Sequence, residues 1–222
     1  MTALPPELTV LVRASAAIGA GREDALEEAL RAAFERTRAG GPPSATAVEE
    51  MLLQSHLFAG YPATIRALET WRRVAGEPEA PIVEADIAGW AARGEAVCER
   101  VYGGQYERLR DRVASLHPEL DRWMVRDGYG RVLGRPGLSL PVRELCVVAL
   151  LCAQDSEAQL YSHLRGARQV GASEEEVEAV LHVASELLPA ARREAARRVW
   201  TTLLARRRPR GRPPRAGPAS PS

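Results

Sequence analysis

The sequence predicts an all-α protein built from two related helical units with a helical section between them. Three observations carry this. Ala, Leu, Arg and Glu dominate the chain while aromatic residues make up only 5% of it, a composition that favours helix over sheet. Apolar residues recur at three- and four-residue steps, the period of a helix with one buried face. Finally, residues 44–71 align without gaps on residues 173–200 at an offset of 129. The alignment pairs Ser44 with Ser173, Val48 with Val177, Glu49 with Glu178, Leu52 with Leu181, Ala67 with Ala196 and Trp71 with Trp200. Matched apolar positions that keep a helical phase are expected to fill equivalent core sites in two copies of one unit.

The first copy, residues 1–76, opens with an apolar helix over Leu8–Ile18 and continues with a helix over Asp24–Arg38. Its GGPPS segment, Gly40–Ser44, ends that helix, and Ser44 or Thr46 is positioned to cap the next; two further helices run to about Val74. In the connecting section, residues 77–137, helices are expected near Glu84–Val101, Gln105–Ser115 and Pro118–Asp127, followed by a glycine-rich loop over Gly128–Gly137. The second copy, residues 138–206, begins at Leu140. Its apolar stretch Leu145–Ala153, and then Leu160, Leu164 and Ala167 at helical steps, read as two helices joined by a short polar turn. Gly171-Ala172-Ser173, followed by Glu174, Glu175 and Glu176, closes that pair. Residues 207–222 have no apolar period and are expected to form a disordered basic tail.

Several function classes are set aside by composition. At 222 residues and 45% hydrophobic the chain is long enough to bury an ordinary core. Its formal net charge of +1 provides no bulk attraction to nucleic acid or to a membrane surface. The tail arginines Arg206, Arg207, Arg208, Arg210, Arg212 and Arg215 lack interleaved aromatic residues and would supply only salt-sensitive, sequence-independent attraction. No specific nucleic-acid or membrane partner is therefore expected. No apolar stretch reaches transmembrane length and MTALPPELTV carries no basic-then-apolar signal, so the expected location is cytoplasmic. Cys146 and Cys152 lie about 9 Å apart along one helix, beyond the span of a disulfide, and together with Cys98 they read as reduced core residues. There is no Gly-x-Ser-x-Gly elbow, phosphate loop or dinucleotide fingerprint. Neither His117 nor His182 has partners at metal-ligand spacing, so no metal and no other cofactor is expected.

The candidate site is a pair of residues: Glu144 at the start of one apolar helix and His163 in the next. A packed hairpin brings a carboxylate and an imidazole of similar depth together, the minimum equipment for general acid/base catalysis. Each also has a purely structural reading, His163 as a half-buried ring bonded to a backbone carbonyl and Glu144 as a carboxylate favoured by a helix N-terminus. Arg143 and Arg165 are candidates to hold a substrate carboxylate through charge-assisted hydrogen bonds, or else are solvated. His56, beside Phe58, is either a residue of no consequence to the site or a second pocket group.

At these residues, from Gly134 to Ala184, the chain resembles the carboxymuconolactone decarboxylase family, whose superfamily includes the AhpD-like alkylhydroperoxidases. The Arg143-Glu144 opening and the His-x-x-x-Ala-x-x-x-Gly segment from His163 to Gly171 carry the resemblance. It implies an AhpD-like helical fold and acid/base chemistry, decarboxylation or a related step, on a small carboxylated or lactone substrate. In that scheme His163 moves the proton, Glu144 orients or recharges His163, and Arg143 is the candidate to face developing negative charge. The Cys-x-x-Cys pair of the alkylhydroperoxidase branch would fall on Ser156 and Gln159, so the resemblance is to the branch without those cysteines. In the first copy Ala29 stands where His163 is expected, yet Phe58-Ala59-Gly60-Tyr61-Pro62-Ala63 keeps the aromatic segment that ends the family unit. In the second copy that segment is reduced to Leu187-Leu188-Pro189-Ala190. A surviving site is thus expected at the second copy, with a wall from the first copy or another subunit. The resembled family is commonly oligomeric, and a small homo-oligomer is expected. A thiol antioxidant and a non-catalytic oligomeric scaffold remain the rival classes at this level.

Overall fold

The computed structural model describes residues 3–77, 87–154 and 156–207, and these are helical with no strand among them. The basic tail beyond Arg207 and the start of the helix expected from Glu84 lie outside the described residues.

Two helices form the centre. Helix α1 (Pro6–Ala20) packs along α8 (Leu140–Ala153), which is buried continuously from Arg143 to Cys152. A helix apolar around its whole circumference must be surrounded, and α8 is. On one side α1 offers Leu8, Val12 and Ala16 to a core shared with α8, α9 (Glu157–Gln169), α10 (Glu174–Ser185) and α11 (Ala190–Arg207). On its other side Leu11, Ala14 and Ile18 meet α2 (Glu23–Arg38), α3 (Ala45–Gln54) and α4 (His56–Ala75), joined there by Cys146 and Leu150 of α8. Each fully buried Leu or Val of these clusters contributes roughly 1.5–3 kcal/mol.

The boundaries follow local chemistry. Ser44 caps α3 by accepting from the Ala47 amide at 3.1 Å; Thr46 lies inside the helix. Ser173 and Glu176 form a reciprocal capping box at α10. The Trp71 indole donates to Glu49 at 3.2 Å and the Trp200 indole to Glu178 at 3.3 Å, the positions that the sequence pairs at the 129-residue offset. Helix α4 bends at Gly60, whose φ of 77° is left-handed, just before Pro62 withholds a backbone donor. The bend leaves Phe58 on the segment nearest α9.

The connecting section departs from expectation. It forms α5 (Trp90–Tyr102), a single 3-10 turn (Gly103–Gln105), α6 (Tyr106–Leu116) and α7 (Pro118–Trp123), and then runs on as a π-helical segment over Met124–Leu133 where the sequence suggests a loop from Gly128. The glycines there serve helix packing. A Cβ on Gly130 would lie 2.0 Å from the Trp90 carbonyl oxygen, and one on Gly94 would lie 2.0 Å from that of Val125. With no side chain at either position, α5 and the π-helical segment cross backbone to backbone. Val97, Cys98, Val101, Tyr102, Tyr129 and Leu133 form the third core cluster there, with Val170 packed against it.

Candidate active site

Helices α8 and α9 bring Glu144 and His163 together. Both side chains are buried, and the imidazole Nδ1 lies 2.8 Å from Glu144 Oε2. A carboxylate accepts, so Nδ1 carries a proton toward Glu144, and Nε2, on the opposite side of the ring, is turned away from it. Phe58 fixes the ring's other side, edge to face at 5.1 Å between centroids and 88° between planes. Phe58 lies on α4, so the N-terminal helices supply one wall.

Gly166, one turn beyond His163, makes the approach possible. A Cβ there would sit 2.9 Å from Glu144 Oε2 and 2.8 Å from Val101 Cγ1. The other carboxylate oxygen, Glu144 Oε1, is buried with no hydrogen-bond partner among the described residues. Such an acceptor is costly to bury, and it adds to the negative potential at the ring.

His163 lines a cavity of about 520 Å³, within the range of small-molecule sites. The cavity is walled by α4, α6, α7 and the π-helical segment, and it also receives Tyr102, Tyr129, Gln159 and Ser162. The Tyr129 hydroxyl donates to the Tyr102 hydroxyl at 2.9 Å. Burial, first among the causes, pushes both phenols above their ordinary range, so both keep their protons. Two hydroxyls in one hydrogen bond share a single proton, and the Tyr102 proton stays available to a ligand oxygen.

The arginines expected to hold substrate lie elsewhere. Arg143 is fully buried, with its guanidinium committed to Glu50 at 2.8 Å, Gln54 at 3.2 Å and the carbonyl oxygens of Arg135, Pro136 and Leu138. Burial pulls it below the ordinary arginine value while Glu50 opposes that shift. Arg165 donates to the Tyr102 carbonyl oxygen at 2.7 Å and does not line the cavity. Nor does His56, whose Nδ1 donates to the Leu53 carbonyl at 2.6 Å. His117 caps α7 by accepting from the Glu119 amide at 3.1 Å, and His182 borders a separate groove between α10 and α11. Among the described residues no group of three His, Cys, Asp or Glu side chains is arranged to hold a metal, and no helix is long and apolar enough to cross a membrane.

Gly166, Tyr102 and Tyr129 were not marked by the sequence as site residues. Gly166 falls between the matched positions His163 and Ala167, and the tyrosines belong to the connecting section, which carries no candidate site residue.

Comparison with known proteins gives three matches. A model of the carboxymuconolactone decarboxylase family matches residues 118–202, which span α7 to α11 and include both Glu144 and His163. The chain is 28% identical over 189 residues to "Peroxisomal protein 2" of Schizosaccharomyces pombe, covering 83% of this chain and 87% of that protein. It is 30% identical over 95 residues to 4-carboxymuconolactone decarboxylase of Acinetobacter baylyi, covering 42% of this chain and 68% of that protein.

Proposed function

We propose that this chain, which belongs to the carboxymuconolactone decarboxylase family, carries out acid/base chemistry, decarboxylation or a related proton transfer, on a carboxylated or lactone small molecule. The observation that carries this reading is the 2.8 Å Glu144–His163 pair at the wall of the cavity. With Nδ1 held by the carboxylate, Nε2 is the base toward substrate, and Glu144 steadies the imidazolium once His163 has taken a proton. In a decarboxylation, Nε2 of His163 takes the proton of the substrate carboxyl group, the C–C bond to the departing CO₂ breaks and its electron pair moves to a neighbouring carbonyl oxygen. The Tyr102 phenol donates to that oxygen, and protonated His163 returns its proton to carbon. Tyr102 thus takes the place that the sequence offered to Arg143.

A thiol peroxidase draws no support from the site, where Ser156 and Gln159 occupy the cysteine positions and the three thiols are buried and unpaired. One relative is named as a peroxisomal protein; for this chain the cytoplasm is our expectation, checked by tagging in the host. The equivalent Trp–Glu bonds in α3–α4 and α10–α11 support reading the two units as related. A small homo-oligomer completes the proposal, and a monomer by light scattering at high micromolar concentration would remove it.

The deciding experiment is a panel of lactones and β-keto acids assayed for CO₂ release and ring opening, run on the natural chain and on His163→Gln. Turnover lost in the variant, with its helical spectrum kept, is the expected result. Equal turnover in both would end the proposal.

A further inference from the structure

The cavity beside His163 is lined largely by apolar side chains, including Leu57, Phe58, Val113, Leu116, Leu120 and Trp123. Around its mouth Leu116 is 71% exposed, Trp123 54% and Leu120 47%. Large apolar residues left in water around one opening mark a place where something apolar binds. The charge at the same opening is specific. Arg112 lines the cavity, and its guanidinium has neither ion pair nor hydrogen bond among the described residues. Asp127 also lines it, but that carboxylate is already held by Arg126 through two bonds, at 3.2 and 2.9 Å. The opening therefore offers one unmet cation beside an apolar wall, with neutral donors from Tyr102, Ser162 and Gln159 deeper in.

We propose that the cavity takes an amphipathic monocarboxylate, with an alkyl or aryl body lying against Phe58, Leu116 and Trp123 and its carboxylate anchored by Arg112. This rests on the reading that the cavity beside His163 is the substrate site, and it narrows that substrate from any small carboxylated compound to one with a single anionic end and an extended apolar body; with that end held at the mouth by Arg112, the step left to His163 is a proton transfer within the body and not loss of the anchored carboxylate. A compact polyanion would meet one guanidinium and several apolar walls that would desolvate its remaining charges without pairing them.

The test is calorimetric titration of the full chain with straight-chain acids from butyrate to decanoate, with the matching primary alcohols, and with the short dicarboxylate adipate. Each methylene that enters the cavity should tighten the dissociation constant about fourfold, up to the length at which the tail emerges. Arg112→Gln, an exposed substitution checked for native helicity, should weaken the acids about tenfold and leave the alcohols unchanged. Trp123→Ala should flatten the dependence on chain length. Adipate binding more tightly than decanoate would overturn the inference, as would acids indifferent to Arg112→Gln. Failure of every ligand to bind would overturn it as well. Because these readouts are equilibrium binding, the two proposals fail separately. Acids that bind as described while no lactone or β-keto acid is turned over count against the acid/base reading alone, whereas turnover of compact polyanions counts against the inference alone.

Discussion

Arg143 and Glu144 are neighbours on α8 with opposite assignments: the guanidinium of Arg143 turns to Glu50 at 2.8 Å, while the carboxylate of Glu144 turns to His163 at 2.8 Å. Consecutive residues on a helix point about 100° apart, so one ties α8 to α3 and the other faces α9. Glu50 also takes Arg135, through Nε at 3.0 Å and Nη2 at 2.9 Å. One buried carboxylate thus holds two guanidiniums and fixes the loop that leads into the site helix.

Glu50→Gln should therefore act on stability and leave the chemistry of the folded molecule alone. Removing one partner of a buried ion pair leaves a charge unpaired and costs about 3–5 kcal/mol, and Arg143→Met should fall in a similar range. Denaturant unfolding checks the loss. If Arg143 instead held substrate, the variant would raise KM with its stability unchanged.

Within the site pair, His163→Gln and Glu144→Gln are expected to lower kcat for an identified substrate by about 10²–10⁴. Glutamine at 163 keeps much of the volume but has no base. Glutamine at 144 still accepts a hydrogen bond from Nδ1 but no longer balances an imidazolium. Single-turnover measurements on both variants distinguish the two roles: the Glu144 variant should retain some activity, and a more severe loss there than at His163 would reverse the assignment.

Gly166→Ala isolates the geometry of that pair from its chemistry. Alanine in a helix interior gains about 1 kcal/mol over glycine, while overpacking typically costs about 1–3 kcal/mol. The added Cβ would meet Glu144 Oε2 at 2.9 Å and Val101 Cγ1 at 2.8 Å, so the carboxylate must move. We expect a change in stability of less than about 2 kcal/mol together with a large fall in kcat. Activity equal to that of the natural chain would show that the position of Glu144 is not demanding.

Much of this arrangement was legible in the chain. Helices α8 and α9 announce themselves by their apolar period, and the spacing of Glu144 and His163 within them was sufficient to pair the two. Ser44 and Ser173 were readable as helix starts. The walls of the cavity were not readable, because Leu116, Leu120 and Trp123 look like ordinary apolar faces of short helices until the structure leaves them exposed at one mouth. Gly128 and Gly130 look like loop residues, and only the approach of Trp90 shows that glycine at 130 serves contact between helices. In a chain this rich in arginine, nothing in sequence distinguishes Arg143, buried among carbonyls, from Arg112 at an opening.

The thiols predict a dependence on alkaline pH. Cys98, Cys146 and Cys152 are buried and unpaired, and burial pushes each up to about 12. An unfolded chain gives up thiol protons near pH 8.5 or about there, whereas the folded chain keeps them. Between about pH 8.5 and 12 the unfolded state therefore binds fewer protons, so the stabilisation, fully present below that window, is lost as pH rises through it. Each thiol adds a slope of up to about 1.4 kcal/mol per pH unit, and the raised phenols of Tyr102 and Tyr129 extend the loss in the same direction. Urea unfolding from about pH 8 to about pH 10.5 should show stability falling, and Cys146→Ala should fall less steeply whatever its starting stability. The same protonated, enclosed thiols should resist iodoacetamide and stoichiometric peroxide until the chain unfolds. A flat stability curve combined with rapid native-state labelling would mean that the thiols are reachable, and would return the peroxidase reading to contention.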